Sequence, residues 1–183
     1  MSDVRYPYDT LHAFAAASFR AAGLTDDQAR RATDTLLVSD LRGVASHGLG
    51  RLEGYIERIR CGFDNPNAPL ETIRETPVSL ALDANLGLGP LVGPEAMGRT
   101  IAKAQESGIC MTTVRRSNHF GIAGYHAMKC LGSDMIGMAM TNASPLVAPT
   151  FSTERLLGTN PIAIAIPAGK QPPFVADFAT TTA

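Results

Sequence analysis

The sequence predicts an α/β protein in which an N-terminal helical segment is followed by a mixed sheet with helical crossovers. Apolar residues recur with helical spacing through roughly the first 60 residues. A polar loop rich in proline and asparagine follows at residues 64–69. Beyond this loop, short apolar runs of strand length alternate with helical patterns, which is typical of a parallel or mixed sheet. We therefore expect a helical segment at residues 1–63 and an α/β domain at residues 70–183.

Three helices are predicted in the first segment, and each has a recognisable end. The first ends at Gly23, because glycine readily adopts the left-handed conformation that closes a helix. Thr25 and Gln28 form a capping box at the start of the second helix, which Gly43 ends. The third helix ends near Gly62. The apolar positions that define the three periods are Leu11, Phe14 and Ala15, then Ala29, Ala32, Leu36 and Leu37, then Leu49, Leu52, Ile56 and Ile59.

The strands are predicted in the second part of the chain. Apolar runs of strand length occur at residues 78–83, 109–114, 135–141, 162–166 and 174–177. A helix that begins at Pro94 and ends at Gly108 separates the first two runs, because proline suits the first turn of a helix. A second helix is predicted at residues 121–131, between the second and third runs. Both helices would serve as crossovers of the sheet.

The composition excludes several classes of function. The chain has 183 residues, of which 45% are hydrophobic and 18% charged, as in an ordinary compact domain. Its formal net charge of −1 lacks the basic surface that nucleic-acid binding requires. Neither a membrane-spanning apolar run nor a signal-peptide pattern is present. The widely spaced Cys61, Cys110 and Cys130 match neither a disulfide framework nor a metal-binding pair, so we expect a cytoplasmic protein.

His47 is the strongest catalytic candidate in the local pattern. It lies between two helical patterns, and Gly43 and Gly48 allow the backbone to turn on either side of it. The pKa of an imidazole lies near neutrality, which suits proton transfer. Ser46 can orient nearby groups, and Arg51, about one helical turn further on, can bind a carboxylate through its planar fork. The same residues also fit a helix cap at Ser46 and a surface ion pair at Arg51.

Three other segments are candidates for ligand binding. The segment NHFGIAG at residues 118–124 follows a predicted strand and opens a predicted helix, where backbone amides can bind an anion. Gly158 and Pro161 bracket Thr159 in a predicted turn. Asp177 ends a predicted strand, at the position where ligands of such sheets bind. An ordinary turn or strand end explains each of these segments as well.

The sequence argues against a Rossmann site, a metal site and a serine triad. The chain contains no GxGxxG fingerprint. His119 and His126 are seven positions apart, too far for the usual pair of metal ligands on one helix. Adjacent Ser46 and His47 do not indicate a triad, because the GxSxG turn of hydrolases is absent.

Taken together, four stretches resemble the malate/L-lactate dehydrogenase family, which is distinct from the Rossmann-type lactate and malate dehydrogenases. They are DLRGVASHGLGRLEGY (40–55), SNHFGIAGY (117–125), TNASPLVAP (141–149) and LLGTNPIAIAIPAGKQPPFVADFAT (156–180). Several long segments in the right order make the resemblance specific, and it covers essentially the whole chain. The family also includes sulfolactate, ureidoglycolate and diketogulonate oxidoreductases, and reductases of piperideine- and pyrroline-2-carboxylate. The resemblance implies the family's own α/β fold with a nicotinamide site that is not of the Rossmann type.

The resemblance also implies a role for each motif. Ser46 would be a relay serine and His47 the proton donor, while Arg51 would bind the substrate carboxylate and Thr159 would contact the substrate. The residues that would contact NAD or NADP are His119, Phe120, Gly121, Ile122, Ala123, Asp177, Phe178 and Ala179. The implied reaction is hydride transfer between the nicotinamide and a small 2-hydroxy or 2-oxo carboxylic acid, and the implied assembly is a homodimer.

Two alternatives remain. Reduction of a cyclic imine carboxylate requires the same carboxylate-binding arginine and the same proton donor. A catalytically inactive, dimerising fragment is the other alternative, because members of the family are about twice as long as this chain. We therefore expect residues 1–183 alone to form an incomplete enzyme that is poorly soluble or depends on a partner chain.

Overall fold

The computed structural model describes residues 5–181. The chain divides into two compact units, Met1–Gly121 and Ile122–Ala183. The helices are α1 (Tyr8–Ala21), α2 (Asp26–Leu41), α3 (Leu52–Arg60), α4 (Gly89–Ser107) and α5 (Ala123–Met128). The strands are β1 (Glu71–Thr76), β2 (Ser79–Gly87), β3 (Met111–Ser117), β4 (Gly137–Met140), β5 (Ile162–Ile166) and β6 (Phe174–Phe178). Short 3-10 turns occur at Ala45–His47, Leu49–Arg51 and Lys129–Ser133.

The first unit contains the predicted mixed sheet with a helical crossover. Its strand order is β1-β2-β3. β2 and β3 are parallel and are joined by α4, whereas β1 and β2 form an antiparallel hairpin. The α/β class predicted from the sequence is therefore confirmed.

The predicted helix ends of the first unit are confirmed as well. The Thr25 side chain accepts a hydrogen bond from the Gln28 amide, and the Gln28 side chain accepts one from the Thr25 amide, which completes the capping box. Gly23, Gly43 and Gly62 have φ values of +99°, +77° and +74°, the conformation that favours glycine after a helix.

The start of α4 differs from the prediction. The helix begins at Gly89 and contains Pro94, which the sequence pattern had placed at its first turn. A proline inside a helix leaves the carbonyl four residues earlier without its usual amide donor. That carbonyl belongs to Pro90, and it lies 3.2 Å from the Thr35 hydroxyl, which shares its proton between Pro90 and the Arg31 carbonyl oxygen at 3.1 Å. A side chain of α2 thus replaces the missing amide, and the helix can begin earlier.

The strands differ from the prediction in two ways. β1 was not predicted, because its sequence ETIRET lacks an apolar alternation and its first five residues are exposed at the edge of the sheet. The predicted crossover through residues 121–131 does not join strands of one sheet. β3 belongs to the first sheet, while β4 pairs antiparallel with β5 in a second one. Local sequence order does not specify which strand becomes a partner, because β5 arrives from a distant segment.

The core of the first unit lies where α1, α2 and α3 pack together. Phe19 and Leu36 are fully buried there, and Leu82 of β2 belongs to a second apolar cluster beneath α4. Each such side chain contributes about 1.5–3 kcal/mol by its removal from water. The loop at residues 64–69, proposed above as a domain boundary, lies within this unit, and the domain assignment based on it stays a prediction.

The second unit is a small antiparallel sheet of order β4-β5-β6 with α5 packed on one face. Ala163 and Ala165 of β5 are buried, and their small side chains permit close packing. Gly137 marks the closest approach, since a Cβ there would lie 2.1 Å from the Ala127 carbonyl oxygen of α5. Within residues 5–181, no helix in either unit has the length and apolar character needed to cross a membrane.

Candidate active site

His47 lies in the connection between α2 and α3. Gly43, with its positive φ, turns the chain away from α2, and two successive 3-10 turns follow at Ala45–His47 and Leu49–Arg51. The Ser46 Oγ lies 2.9 Å from the His47 Nδ1, so the serine fixes one nitrogen of the ring. Ser46 thus contacts His47 directly, and its role as a relay serine stays a prediction.

Asp40, near the end of α2, anchors this connection. Its Oδ2 accepts a hydrogen bond of 2.7 Å from the Leu49 amide. Gly48 packs so tightly against the same carboxylate that an added Cβ would lie 2.0 Å from the Asp40 Oδ1. The glycine after His47 is thus required by close packing rather than by a positive φ, since its φ is −88°.

We expect Gly48→Ala to loosen this connection and to destabilise the protein. The new methyl group would displace the Asp40 carboxylate and break its hydrogen bond to the Leu49 amide, at a cost of about 1–2 kcal/mol in the free energy of unfolding. Urea denaturation measures the effect. Gly50→Ala is the matched control, because no atom lies within 4 Å of a Cβ there. Equal unfolding free energies for the two variants would contradict the anchoring role of Asp40.

Arg51 is exposed and is held by the backbone of the same connection. Its Nε donates a hydrogen bond of 2.8 Å to the Ser46 carbonyl oxygen. Because this bond uses Nε alone, the two terminal nitrogens of the guanidinium are placed to donate in parallel to a carboxylate.

His119 joins this group from the segment that follows β3. Its ring stacks on His47 with 5.4 Å between the ring centroids and an interplanar angle of 23°. Its Nδ1 lies 2.5 Å from the hydroxyl of Tyr55, a residue of α3. The backbone of His119 packs directly against Gly89, where a Cβ would lie 2.0 Å from the His119 carbonyl oxygen. The position of His119 therefore depends on a glycine at position 89.

The electrostatics of this group keep His119 neutral. Desolvation of the ring is the largest cause, and the positive charges of His47, Arg51 and Arg58 add to it, so that its pKa falls to about 4 although one side of the residue is exposed. Burial also raises the pKa of Tyr55 above its ordinary value, so the phenol stays protonated. Both effects follow from the cost of placing charge in this environment.

Asn118 connects the segment before His119 to three other parts of the first unit. Its side-chain nitrogen donates to the carbonyls of Phe63 and Leu86, and its side-chain oxygen accepts from Arg58 at 3.0 Å. Arg58 also forms an ion pair of 2.8 Å with the buried Asp64. These contacts fix the position of His119 relative to α3.

The structure brings together four of the residues predicted for the site, namely Ser46, His47, Arg51 and His119. Asp40 and Tyr55 were not predicted as members of this group, and Asn118 was predicted only as the first residue of the candidate segment at residues 118–124. A usable signal for Tyr55 was its spacing, since it follows Arg51 by four residues and so lies one helical turn further along.

Gly121 has φ +81°, and a Cβ there would lie 3.1 Å from the Thr35 Cγ2. The positive φ and the close contact with α2 therefore explain why a glycine occupies position 121. The Gly121 amide donates to the His119 Nδ1 at 3.4 Å. This amide therefore has an acceptor within the chain.

In the second unit, Asp177 contacts the start of α5. Its Oδ2 accepts a hydrogen bond of 2.7 Å from the Gly124 amide, and a Cβ on Gly124 would lie 2.7 Å from the same atom. Ile122 and Ala123, predicted to contact the cofactor, are buried, which leaves their side chains within the protein. α5 has six residues, and the Asp177 carboxylate occupies the amide of its second residue, Gly124.

Thr159 is half-buried and is held close to the end of β6. Its carbonyl oxygen accepts a hydrogen bond of 2.9 Å from the Thr180 amide. Phe178 and Ala179, the preceding residues of that segment, are exposed. The structure thus brings Thr159 near the segment that contains two of the predicted cofactor contacts.

The chain is similar to known dehydrogenases over nearly its whole length. The sequence model of the family described as malate/L-lactate dehydrogenase matches residues 6–183. The malate dehydrogenase of Pyrococcus abyssi is 45% identical over 178 residues, which are 97% of this chain and 49% of that protein. The L-sulfolactate dehydrogenase of Methanocaldococcus jannaschii is 40% identical over 160 residues, which are 87% of this chain and 46% of that protein.

A solved structure shows the same likeness in three dimensions. The structure of malate dehydrogenase from Pyrococcus horikoshii OT3 matches with a TM-score of 0.94 and 44% identity, over 97% of this chain and 51% of that one. The chain thus spans about half the length of the relatives it matches. The match to the family model over nearly all of its residues shows that the chain belongs to the malate/L-lactate dehydrogenase family.

Proposed function

We propose that the protein is an NAD(P)-dependent oxidoreductase that interconverts a small 2-hydroxy carboxylic acid and its 2-oxo acid, of the malate or lactate type. The observation that carries this proposal is the pairing of His47, oriented by Ser46, with Arg51, whose terminal nitrogens are placed for a carboxylate. A proton donor beside a carboxylate-binding guanidinium is what reduction of a 2-oxo acid requires. The relatives named malate and L-sulfolactate dehydrogenase support the same class of reaction.

In this proposal the residues of the first unit handle the proton and the carboxylate. Arg51 binds the substrate carboxylate through its two terminal nitrogens. His47 donates a proton to the substrate oxygen in reduction and removes it in oxidation, while Ser46 orients the ring through Nδ1. The nicotinamide, when bound, supplies or accepts the hydride. The neutral His119 beside His47 contributes no competing positive charge.

For the cofactor, we propose NAD or NADP, with contacts at residues 119–123 and 177–179 as the family resemblance assigns them. His119, which is exposed, and Phe120, which is half-buried, both have flat rings. Such rings suit the uncharged nicotinamide better than a phosphate. We also propose, from the same resemblance, that Thr159 contacts the substrate and that the protein is a homodimer. A cytoplasmic location is a further proposal. The widely spaced cysteines support a reducing compartment.

A substrate panel tests the function. The protein is incubated with NADH or NADPH and with pyruvate, oxaloacetate or a cyclic imine carboxylate, and the loss of cofactor absorbance is followed. We expect oxidation of one cofactor with at least one 2-oxo acid and a slower reaction, if any, with the imines. Turnover of an imine without turnover of the 2-oxo acids would favour the cyclic imine reductase instead. No turnover with any substrate would favour the inactive fragment.

A further inference from the structure

We propose that Tyr55 is a positioning residue which holds His119 in one neutral tautomer, with the proton on Nε2, so that His47 alone carries positive charge in the stacked pair. The tautomer follows from the contacts of the first unit, whereas the value of this arrangement for proton transfer rests on the proposed function. Neither the family motifs nor the local sequence pattern assigns Tyr55 a role.

The contact between Tyr55 and His119 is short, and its tyrosine is buried. The Tyr55 hydroxyl lies 2.5 Å from the His119 Nδ1, and Tyr55 is only 3% exposed. Because burial raises the pKa of the phenol, the hydroxyl keeps its proton near neutral pH. Within residues 5–181, the acceptor found for that proton is the His119 Nδ1.

A second donor reaches the same nitrogen. The Gly121 amide lies 3.4 Å from the His119 Nδ1, and a backbone amide can only donate. A nitrogen that receives donors from two sides must present its lone pair and cannot carry a proton itself. The proton of the neutral ring is therefore on Nε2, which becomes a fixed donor.

The charges around the ring favour the same state. His47 and Arg51 approach His119 from the connection before α3, and Arg58 approaches from α3 itself. Asp64, the nearby carboxylate, is paired with Arg58 and does not offset these charges at the ring. A second cation stacked on His47 would be repelled, so a hydrogen bond that stabilises neutral His119 also stabilises protonated His47.

Tyr55→Phe removes the hydroxyl and keeps the buried ring. Nitrogen-15 NMR of the imidazoles then measures the tautomer and the pKa of His119. In the unmodified protein we expect the His119 signals of an Nε2–H tautomer that titrates at a pKa of about 4. In Tyr55→Phe, loss of the donor should raise that pKa to about 5 and mix the two tautomers, since a net hydrogen bond corresponds to about one pKa unit. Tyr125→Phe, a half-buried tyrosine of α5, is the matched control and should change neither property.

Two results would overturn the inference. A proton on Nδ1 of His119 in the unmodified protein would exclude Tyr55 as its donor, whether or not any variant folds. Unchanged tautomer and titration in a folded Tyr55→Phe protein would show that the hydroxyl does not hold the ring. Neither measurement uses turnover, so failure here is distinguishable from failure of the substrate panel. In an active enzyme, Tyr55→Phe should shift the acid limb of the pH profile of kcat, while Tyr125→Phe should not.

Discussion

Replacement of His47 by asparagine should lower kcat by about 100-fold or more, in line with the usual contribution of a general acid–base group. Asparagine can still form a hydrogen bond with Ser46, but it has no proton to exchange in the working pH range. The fold should change little, because His47 is half-buried and the connection that carries it is held by Asp40.

Steady-state kinetics with the best substrate of the panel measures this effect. His12→Asn is the matched control, since His12 lies on α1 and pairs with Asp34. The control should keep near-normal turnover and should unfold at nearly the same urea concentration. If His47→Asn also kept near-normal turnover, another residue would have to be the proton donor, and the neighbouring His119 would be examined next.

Replacement of Arg51 by alanine should reduce kcat/KM for the carboxylate substrate by about 100-fold, the loss typical of a charged pair with one partner removed. Arg51→Lys should also be damaging, because lysine keeps the charge but cannot donate two parallel hydrogen bonds. The affinity for NAD(P)H should change little. Arg60→Lys, at the exposed end of α3, is the matched control for the change of side chain.

Fluorescence titration with NADH or NADPH separates the two possible roles of Arg51. Weaker cofactor binding with an unchanged substrate KM in Arg51→Ala would contradict the assignment. A loss confined to substrates that carry a carboxylate would support it, and a neutral amide analogue of the substrate should be nearly insensitive to the substitution.

Helix ends were predictable because their causes are local. The capping box of Thr25 and Gln28 and the closing glycines act within a few residues of each other, so a single sequence contains the whole signal. The early start of α4 was not predictable, because the Pro90 carbonyl finds its donor on Thr35 of another helix. The pairing of β4 with β5 depends in the same way on residues far apart in the chain.

The same distinction between local and long-range contacts applies to the candidate site. Ser46, His47 and Arg51 are neighbours in sequence, and their spacing fitted both a proton donor beside a carboxylate-binding group and a helix cap with a surface ion pair. The resemblance to the family favoured the first interpretation. Tyr55 and His119 are 64 residues apart, and their contact follows from the fold alone. Gly121 was predicted as a cofactor contact, yet its conformation and its neighbour Thr35 also explain it without a ligand.

The hydrogen bond between Asp177 and the Gly124 amide bears on the order in which the second unit folds. It joins positions 53 residues apart, whereas β5 and β6 are neighbours along the chain and can pair as a hairpin first. Closing a longer loop costs more chain entropy, so the contact gains stability only once the strands have already brought Asp177 near. We therefore expect the hairpin of β5 and β6 to form early and α5 to dock late, with the Gly124 amide among the last groups of this unit to become protected from exchange with solvent.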